Sequence, residues 1–209
     1  FTVTYAAAAK LAITQQPCTG VVTSGTCANG KTGEVLATQP VIAIQDRFGN
    51  LVENANYAVA VSLTGSGGTL TNAIDSTANA FTVNAVNGYA TFSNLLLTAT
   101  PSSAYQLNFS SNGLTGVASG NIQVTHGDAT QILMVSQPEG SATGSELSLQ
   151  PVVRIADEFG NTVTGNSSTV ITVSAANGTV GSTSSVLTAT VNQGCLLYTS
   201  DAADDSLRV

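Results

Sequence analysis

His126 is the one histidine in the chain. It sits in Val124-Thr125-His126-Gly127-Asp128, and serine and aspartate are common elsewhere. A Ser-His-Asp relay needs the histidine to take a hydroxyl proton while a carboxylate orients its ring. No spacing here brings three such groups together. The matching position in an earlier stretch of the chain is Tyr5, which fits a residue exposed in a linker. The chain is therefore read as non-catalytic, with no active-site residue assigned.

Two further sets of side chains bear on chemistry. Asp46 and Asn50 share one segment; Asp157, Glu158 and Asn161 share another. Calcium collects about six to eight oxygens, and one Asp with one Asn is a poor supply. Both residue types also form turns through local hydrogen bonds to backbone, and that explains them without a metal or cofactor. Cys18 and Cys27 flank the Gly/Thr/Ser-rich loop Thr19 to Thr26. A bridge closing a loop of about ten residues stabilises by about 2–3 kcal/mol in the chain-entropy account. Two free thiols or half of a metal site are the alternatives, and no other His or Cys lies nearby in sequence to complete a zinc set. A structural disulfide is the expected reading, and it implies an oxidising compartment. No glycine motif for phosphate stands between a strand and a helix; Gly65-Ser66-Gly67-Gly68 reads as a turn. The sequons at Asn108, Asn166 and Asn177 matter only in a glycosylating host.

The elements that position these residues come from a repeat. Gln39-Pro40-Val41-Ile42-Ala43-Ile44-Gln45-Asp46-Arg47-Phe48-Gly49-Asn50 returns 111 residues later as Gln150-Pro151-Val152-Val153-Arg154-Ile155-Ala156-Asp157-Glu158-Phe159-Gly160-Asn161. Side chains alternate between the faces of a strand. Ile42 and Ile44 fall on one face, as do Val153 and Ile155, while the other face accepts Gln45 or Arg154. That is a half-buried strand, ended by an Asp-x-Phe-Gly-Asn turn. The Phe reads as a plug folded over the end of the core. Upstream, Lys10 to Pro17 matches Gln131 to Pro138 at a shift of 121. The first copy thus carries ten extra residues, in the segment that holds Cys18 and Cys27.

This register gives a domain plan. Residues 1–8 are the last strand of a preceding repeat, 9–127 a complete domain, and 128–194 a truncated second domain. In the complete domain, Leu11/Ile13, Ile42/Ile44, Val59/Val61/Leu63, Phe81/Val83, Ala90/Phe92, Leu95 to Leu97, Tyr105/Leu107/Phe109 and Ile122/Val124 mark short strands with turns between them. The fold class is all-β, in tandem immunoglobulin-like β-sandwich domains. Tyr105 suits either a corner tyrosine, its hydroxyl tied to nearby backbone, or a plain core aromatic.

Composition agrees: 43% of residues are hydrophobic and 8% charged, there is no Trp, and Gly numbers 20. Short strands and tight turns use such a mixture. The formal net charge of −7 argues against nucleic acid and anionic lipid as partners. No apolar run reaches the roughly 20 residues of a membrane span.

Four segments carry a family resemblance: Lys10 to Pro17, Gln39 to Asn50, Asn87-Gly88-Tyr89-Ala90-Thr91-Phe92-Ser93-Asn94-Leu95, and Tyr-x-Leu-x-Phe at Tyr105 to Phe109. In these the chain resembles bacterial immunoglobulin-like repeats of the invasin and intimin type, over residues 1 to about 194. The resemblance implies an extracellular spacer without catalytic residues, stacked on neighbouring repeats of the same chain. Any host or matrix ligand would be met by a tip elsewhere. The cysteine-bearing loop is outside the family's core pattern. An accessory module of a secreted polysaccharide-acting enzyme is the alternative. Direct carbohydrate binding ranks below both, because it needs an exposed aromatic platform. Residues 195–209 differ in kind. Cys195-Leu196-Leu197-Tyr198-Thr199-Ser200-Asp201-Ala202-Ala203-Asp204-Asp205 resembles the translation of a transposon-end adaptor used for sequencing libraries, and is expected to be a non-native tail.

Overall fold

The computed structural model describes residues 4–23, 26–74, 81–101, 103–140, 142, 147–174 and 186–197. Among these the chain is all-β, with no helix. It divides into two compact units, 1–125 and 126–209.

In the first unit Val41–Asp46 is the middle of a three-stranded antiparallel sheet, between Ala8–Gln15 and Tyr89–Thr91. Leu11 lies opposite Ile44 and Ile13 opposite Ile42. A second sheet runs Val117–Ala118, Gln106–Ser110, Ala58–Thr64, Phe81–Asn84. Leu95–Thr98 pairs with Thr69–Asn72, and Val124–Thr125 runs parallel to Gly30–Lys31. Ile42 and Ile44 from the first sheet join Val59, Val61, Leu107 and Phe109 from the second in one core. The layers meet directly: the Phe92 and Phe109 rings lie 5.4 Å apart and tilted, a favourable aromatic contact. The alternation expected from the sequence is the alternation observed, as in a β-sandwich. The entry segment belongs here too. Ala8 starts the first strand and Tyr5 packs against the core. Residues 4–8 are therefore tied to the unit that follows them, and Tyr5 is not a free linker side chain.

The second unit repeats part of this plan. Val152–Ala156 sits between Gln131–Ser136 and Cys195–Leu197, and Val170–Ser174 pairs with Val186–Thr190. Its core holds Val153, Ile155, Val163, Ile171, Val191 and Leu196. The sheet extends past the boundary drawn at 194. A hairpin turn with positive φ at Gln193 and Gly194 (47° and 76°) precedes Cys195. Asn87 and Gly88 do the same before Tyr89 (52° and 79°). Such turns match the twist of the strands they join, and a short apolar run after one falls on the free side of the central strand. The adaptor-like tail beyond Leu197 and the sequon at Asn177 lie outside the described residues.

The phenylalanine plug is overturned. Phe48 is 68% exposed, with the Arg47 guanidinium 4.4 Å from its ring centroid, and Phe159 is 41% exposed. The turn buries its aspartate instead, so the phenylalanine contributes only backbone to the interior.

Tyr105 combines the two roles considered for it. The residue is fully buried, and its hydroxyl accepts from the Thr100 N–H at 3.1 Å and lies 3.2 Å from the Ser66 carbonyl. The ring lies against the glycine turn: a Cβ on Gly65 or Gly68 would come within 2.5 Å of it. Tyr105→Phe should lower stability by about 1–2 kcal/mol by leaving buried polar groups unpaired, and Gly68→Ala by about 1–3 kcal/mol through overpacking. Urea unfolding followed by circular dichroism measures both, and a neutral Gly68→Ala would contradict this packing.

Candidate functional site

The repeated turn builds the same site twice. In the first unit Asp46 Oδ1 accepts the N–H groups of Phe48 and Asn50, each at 2.9 Å. Its Oδ2 accepts the Asn50 side-chain amide at 3.0 Å and the Ala6 N–H at 2.9 Å. In the second unit Asp157 Oδ1 accepts Phe159 N–H at 3.0 Å and Asn161 N–H at 2.8 Å. Its Oδ2 accepts the Asn161 amide at 3.0 Å and Gly127 N–H at 2.8 Å. Ala6 and Gly127 are the matching residues of the two entry segments. Both aspartates are fully buried.

Local sequence explains the geometry. Gly49 and Gly160 take positive φ (93° and 83°), which turns the chain so that the following Asn N–H faces back to the Asp. The Asp and Asn backbones then bond across the turn, Asp46 N–H to Asn50 O and Asp157 N–H to Asn161 O. In the second unit Arg154 caps the turn, donating to Gly160 O at 2.7 Å and Thr162 Oγ1 at 3.0 Å.

The electrostatics follow. The Asn50 amide, with the Ala6, Asn50 and Phe48 N–H groups, holds the Asp46 carboxyl well below the usual carboxylate range against the opposing effect of burial. For Asp157 burial is the largest influence and acts upward. The donors from Gly127, Asn161 and Phe159 outweigh it, so this carboxyl is also lowered. Carboxylates that accept several N–H bonds behave this way. The oxygens considered as calcium ligands at Asp46 and Asp157 thus point at N–H donors, and Asn50 and Asn161 turn their amide nitrogens to the same carboxylates. Glu158, the extra carboxylate of the second copy, is exposed, and the four donors go to Asp157. No group of three or more metal-binding side chains occurs among the described residues.

Cys18 and Cys27 form the disulfide, with Cα atoms 5.5 Å apart. The ten-residue insertion is anchored well beyond that bridge. Cys18 exchanges both backbone hydrogen bonds with Thr38. Thr19 Oγ1 donates to Gln123 O at 2.7 Å and accepts from Gly30 N–H at 3.0 Å. Thr32 N–H reaches Thr125 O, while its buried hydroxyl bonds both the N–H and the carbonyl of Ala99. Sequence reasoning missed Thr19 and Thr32, since a threonine in a Thr-rich loop gives no signal of its own. His126 Nδ1 lies 2.8 Å from Gly127 O, a contact with the adjoining residue. Cys195 is a free, exposed thiol. No protein-family model matches this sequence, and no curated protein does.

Because both aspartates have depressed folded-state pKa values, their contribution to stability is present above the unfolded aspartate value of about 3.9 and is lost as pH falls below it toward the folded values. Asp46→Asn and Asp157→Asn should lower stability at pH 7, since an amide nitrogen then faces N–H donors. The gap to the unsubstituted chain should narrow below about pH 4, where the aspartates of its unfolded form take up protons while the folded ones stay ionised. Melting temperatures across pH 2–7 test this; a gap constant with pH would refute it. Alkylation without reductant should label Cys195 alone by intact mass, and all three cysteines after reduction.

Proposed function

We propose that this chain is a non-catalytic structural repeat of a bacterial cell-surface or secreted adhesin-like protein, in which immunoglobulin-like sandwiches serve as spacers. The observation that carries the reading is the paired clasp. In each unit the N–H of the entry segment, Ala6 or Gly127, is held by a buried carboxylate of the repeated turn. A spacer needs its domains to receive the incoming chain at a fixed place, and a charge-assisted bond to a buried acceptor provides that. The same device recurs at the same repeat position while surface residues around it change, as Arg47 against Glu158 illustrates. The disulfide supports an extracellular setting.

Partners on this reading are neighbouring repeats of the same chain, with any host or matrix ligand met at a tip. The alternative, an accessory module of a secreted polysaccharide-acting enzyme, shares the fold and differs in what it orients.

Small-angle X-ray scattering on proteins carrying one, two and three copies of residues 5–125, which keep Ala6 on Asp46, discriminates. A spacer should add a constant increment to the maximum dimension with each copy. Increments that shrink with copy number would refute it. Asp157→Ala should release Gly127, so limited proteolysis should cut near residues 125–128 faster than in the unsubstituted chain. Unchanged cleavage would remove the clasp from the explanation.

A further inference from the structure

Asparagine followed by glycine is a dipeptide prone to rearrange its own backbone, because glycine has no side chain to shield its amide nitrogen. Among the described residues the step occurs at Asn29-Gly30, Asn87-Gly88 and Asn112-Gly113; another, Asn177-Gly178, lies outside them. The rearrangement needs a glycine N–H able to lose its proton. It also needs room for the backbone to swing that nitrogen against the asparagine Cγ, and access for water. The chemistry of the dipeptide is the same each time, so the fold decides between the sites.

Two of them are blocked. Gly30 N–H donates to Thr19 Oγ1 at 3.0 Å, and a Cβ built on Gly30 would collide with the Thr19 carbonyl oxygen. Gly88 is buried, donates to Ala55 O at 3.3 Å, and has Val52 O 2.7 Å from where a Cβ would stand. Asn87 and Gly88 are also both held at positive φ by their hairpin. Either asparagine would have to break out of its surroundings before it could react.

The remaining one is open. Asn112 and Gly113 are both exposed, at the centre of a turn that Leu114 N–H closes on Ser111 O at 3.2 Å. Such a bond leaves the amides of the two central residues unused. Among the described residues no group accepts the Gly113 N–H, and nothing lies within 4 Å of a Cβ built on Gly113. The turn joins Gln106–Ser110 to Val117–Ala118. Directly after it, Thr115 is bonded through both backbone groups to the entry strand. Its N–H reaches Ala9 O at 2.9 Å, and its carbonyl accepts the Leu11 N–H at 2.8 Å.

We propose that Asn112-Gly113 is a self-modification site, at which the chain slowly converts asparagine to isoaspartate and so loosens Thr115 from the entry strand. Gly113 N loses its proton and attacks Asn112 Cγ. The N–Cγ bond forms, the Cγ–Nδ2 bond breaks, and Nδ2 leaves as ammonia with a proton in place of that bond. Water then opens the cyclic imide. Opening at Cγ leaves an aspartate in the ordinary chain. Opening at the backbone carbonyl routes the main chain through the former side chain, which adds a backbone carbon to the turn and leaves a free carboxylate on it. Turn length sets the register of the strands it joins, so the added atom displaces Thr115 from Ala9 and Leu11. The inference does not rest on the spacer reading, and either can fail alone.

The test incubates the whole chain at mildly alkaline pH and physiological temperature, folded and, in parallel, unfolded in guanidinium with the disulfide reduced. Peptic peptides sampled over time are read by electron-transfer fragmentation, which separates aspartate from isoaspartate. In the folded chain Asn112 should convert faster than Asn29 and Asn87 by about fivefold or more, the factor for one net hydrogen bond that must first be given up. In the unfolded chain the rates should converge. Hydrogen exchange at Leu11 and Thr115 should accelerate in step with isoaspartate. Asn112→Gln, which disfavours the five-membered ring, should keep both amides protected over the same time. The proposal is overturned if Asn112 converts no faster than the other two when folded, or if the same preference persists when unfolded. It is equally overturned if Leu11 and Thr115 stay protected after Asn112 has converted, or lose protection as fast in the Asn112→Gln chain.

Discussion

A buried carboxylate with four N–H donors is the interaction on which each unit depends. Taking a charge out of water is costly, and an isolated one would neutralise instead. Here four N–H donors per carboxylate offset that cost. Asp46 and Asp157 each receive two donors from their own turn, one from an asparagine side chain and one from the entry segment. Every member of the motif is accounted for: Asp as acceptor, Gly as the left-handed residue, Asn as donor twice over. Removal of the carboxylate would loosen the turn and the incoming chain together, because one atom, Oδ2, serves both.

Around that clasp the first unit is a filled sandwich. The glycine turn at Gly65 to Gly68 exists in its observed form because Tyr105 lies against it, and the tyrosine hydroxyl repays its burial by bonding the backbone of Thr100. The second unit has the clasp, the central strand and the hairpin glycine, Gly194, whose position against Val163 reproduces that of Gly88 against Val52. What it lacks among the described residues is the cover. Leu36 is buried beneath Leu95–Thr98 in the first unit, and its counterpart Leu147 is exposed among the described residues of the second, which include no match for that strand.

Much of this was legible in the residues. Alternation marked the strands Val41–Asp46, Ala58–Thr64 and Gln106–Ser110, because each has one face on a core and hydrophobic period two is then forced. The disulfide was legible from two cysteines around one loop. The shift between repeats located the insertion. Phe48 was misread because an aromatic in a turn was assumed to seek the interior; the small polar Asp took that place, since only it could satisfy the turn's N–H groups. Tyr5 was misread because a linker position says nothing of which domain it packs on. The roles of Thr19 and Thr32 depend on partners about a hundred and about seventy residues away, Gln123 and Ala99, and no local pattern encodes such contacts.

One arrangement in the first unit bears on how it would carry load. The entry strand Ala8–Gln15 meets Thr115 in a parallel bridge at Lys10, and the exit strand Val124–Thr125 runs parallel to Gly30–Lys31. Tension applied to the two ends would slide these strands lengthwise, so several hydrogen bonds must rupture at once instead of unzipping singly. The insertion behind Gly30–Lys31, closed by Cys18 and Cys27, is covalently barred from paying out chain between those cysteines. Mechanical resistance at the exit would then fall under reducing conditions, even where the sandwich itself stays folded.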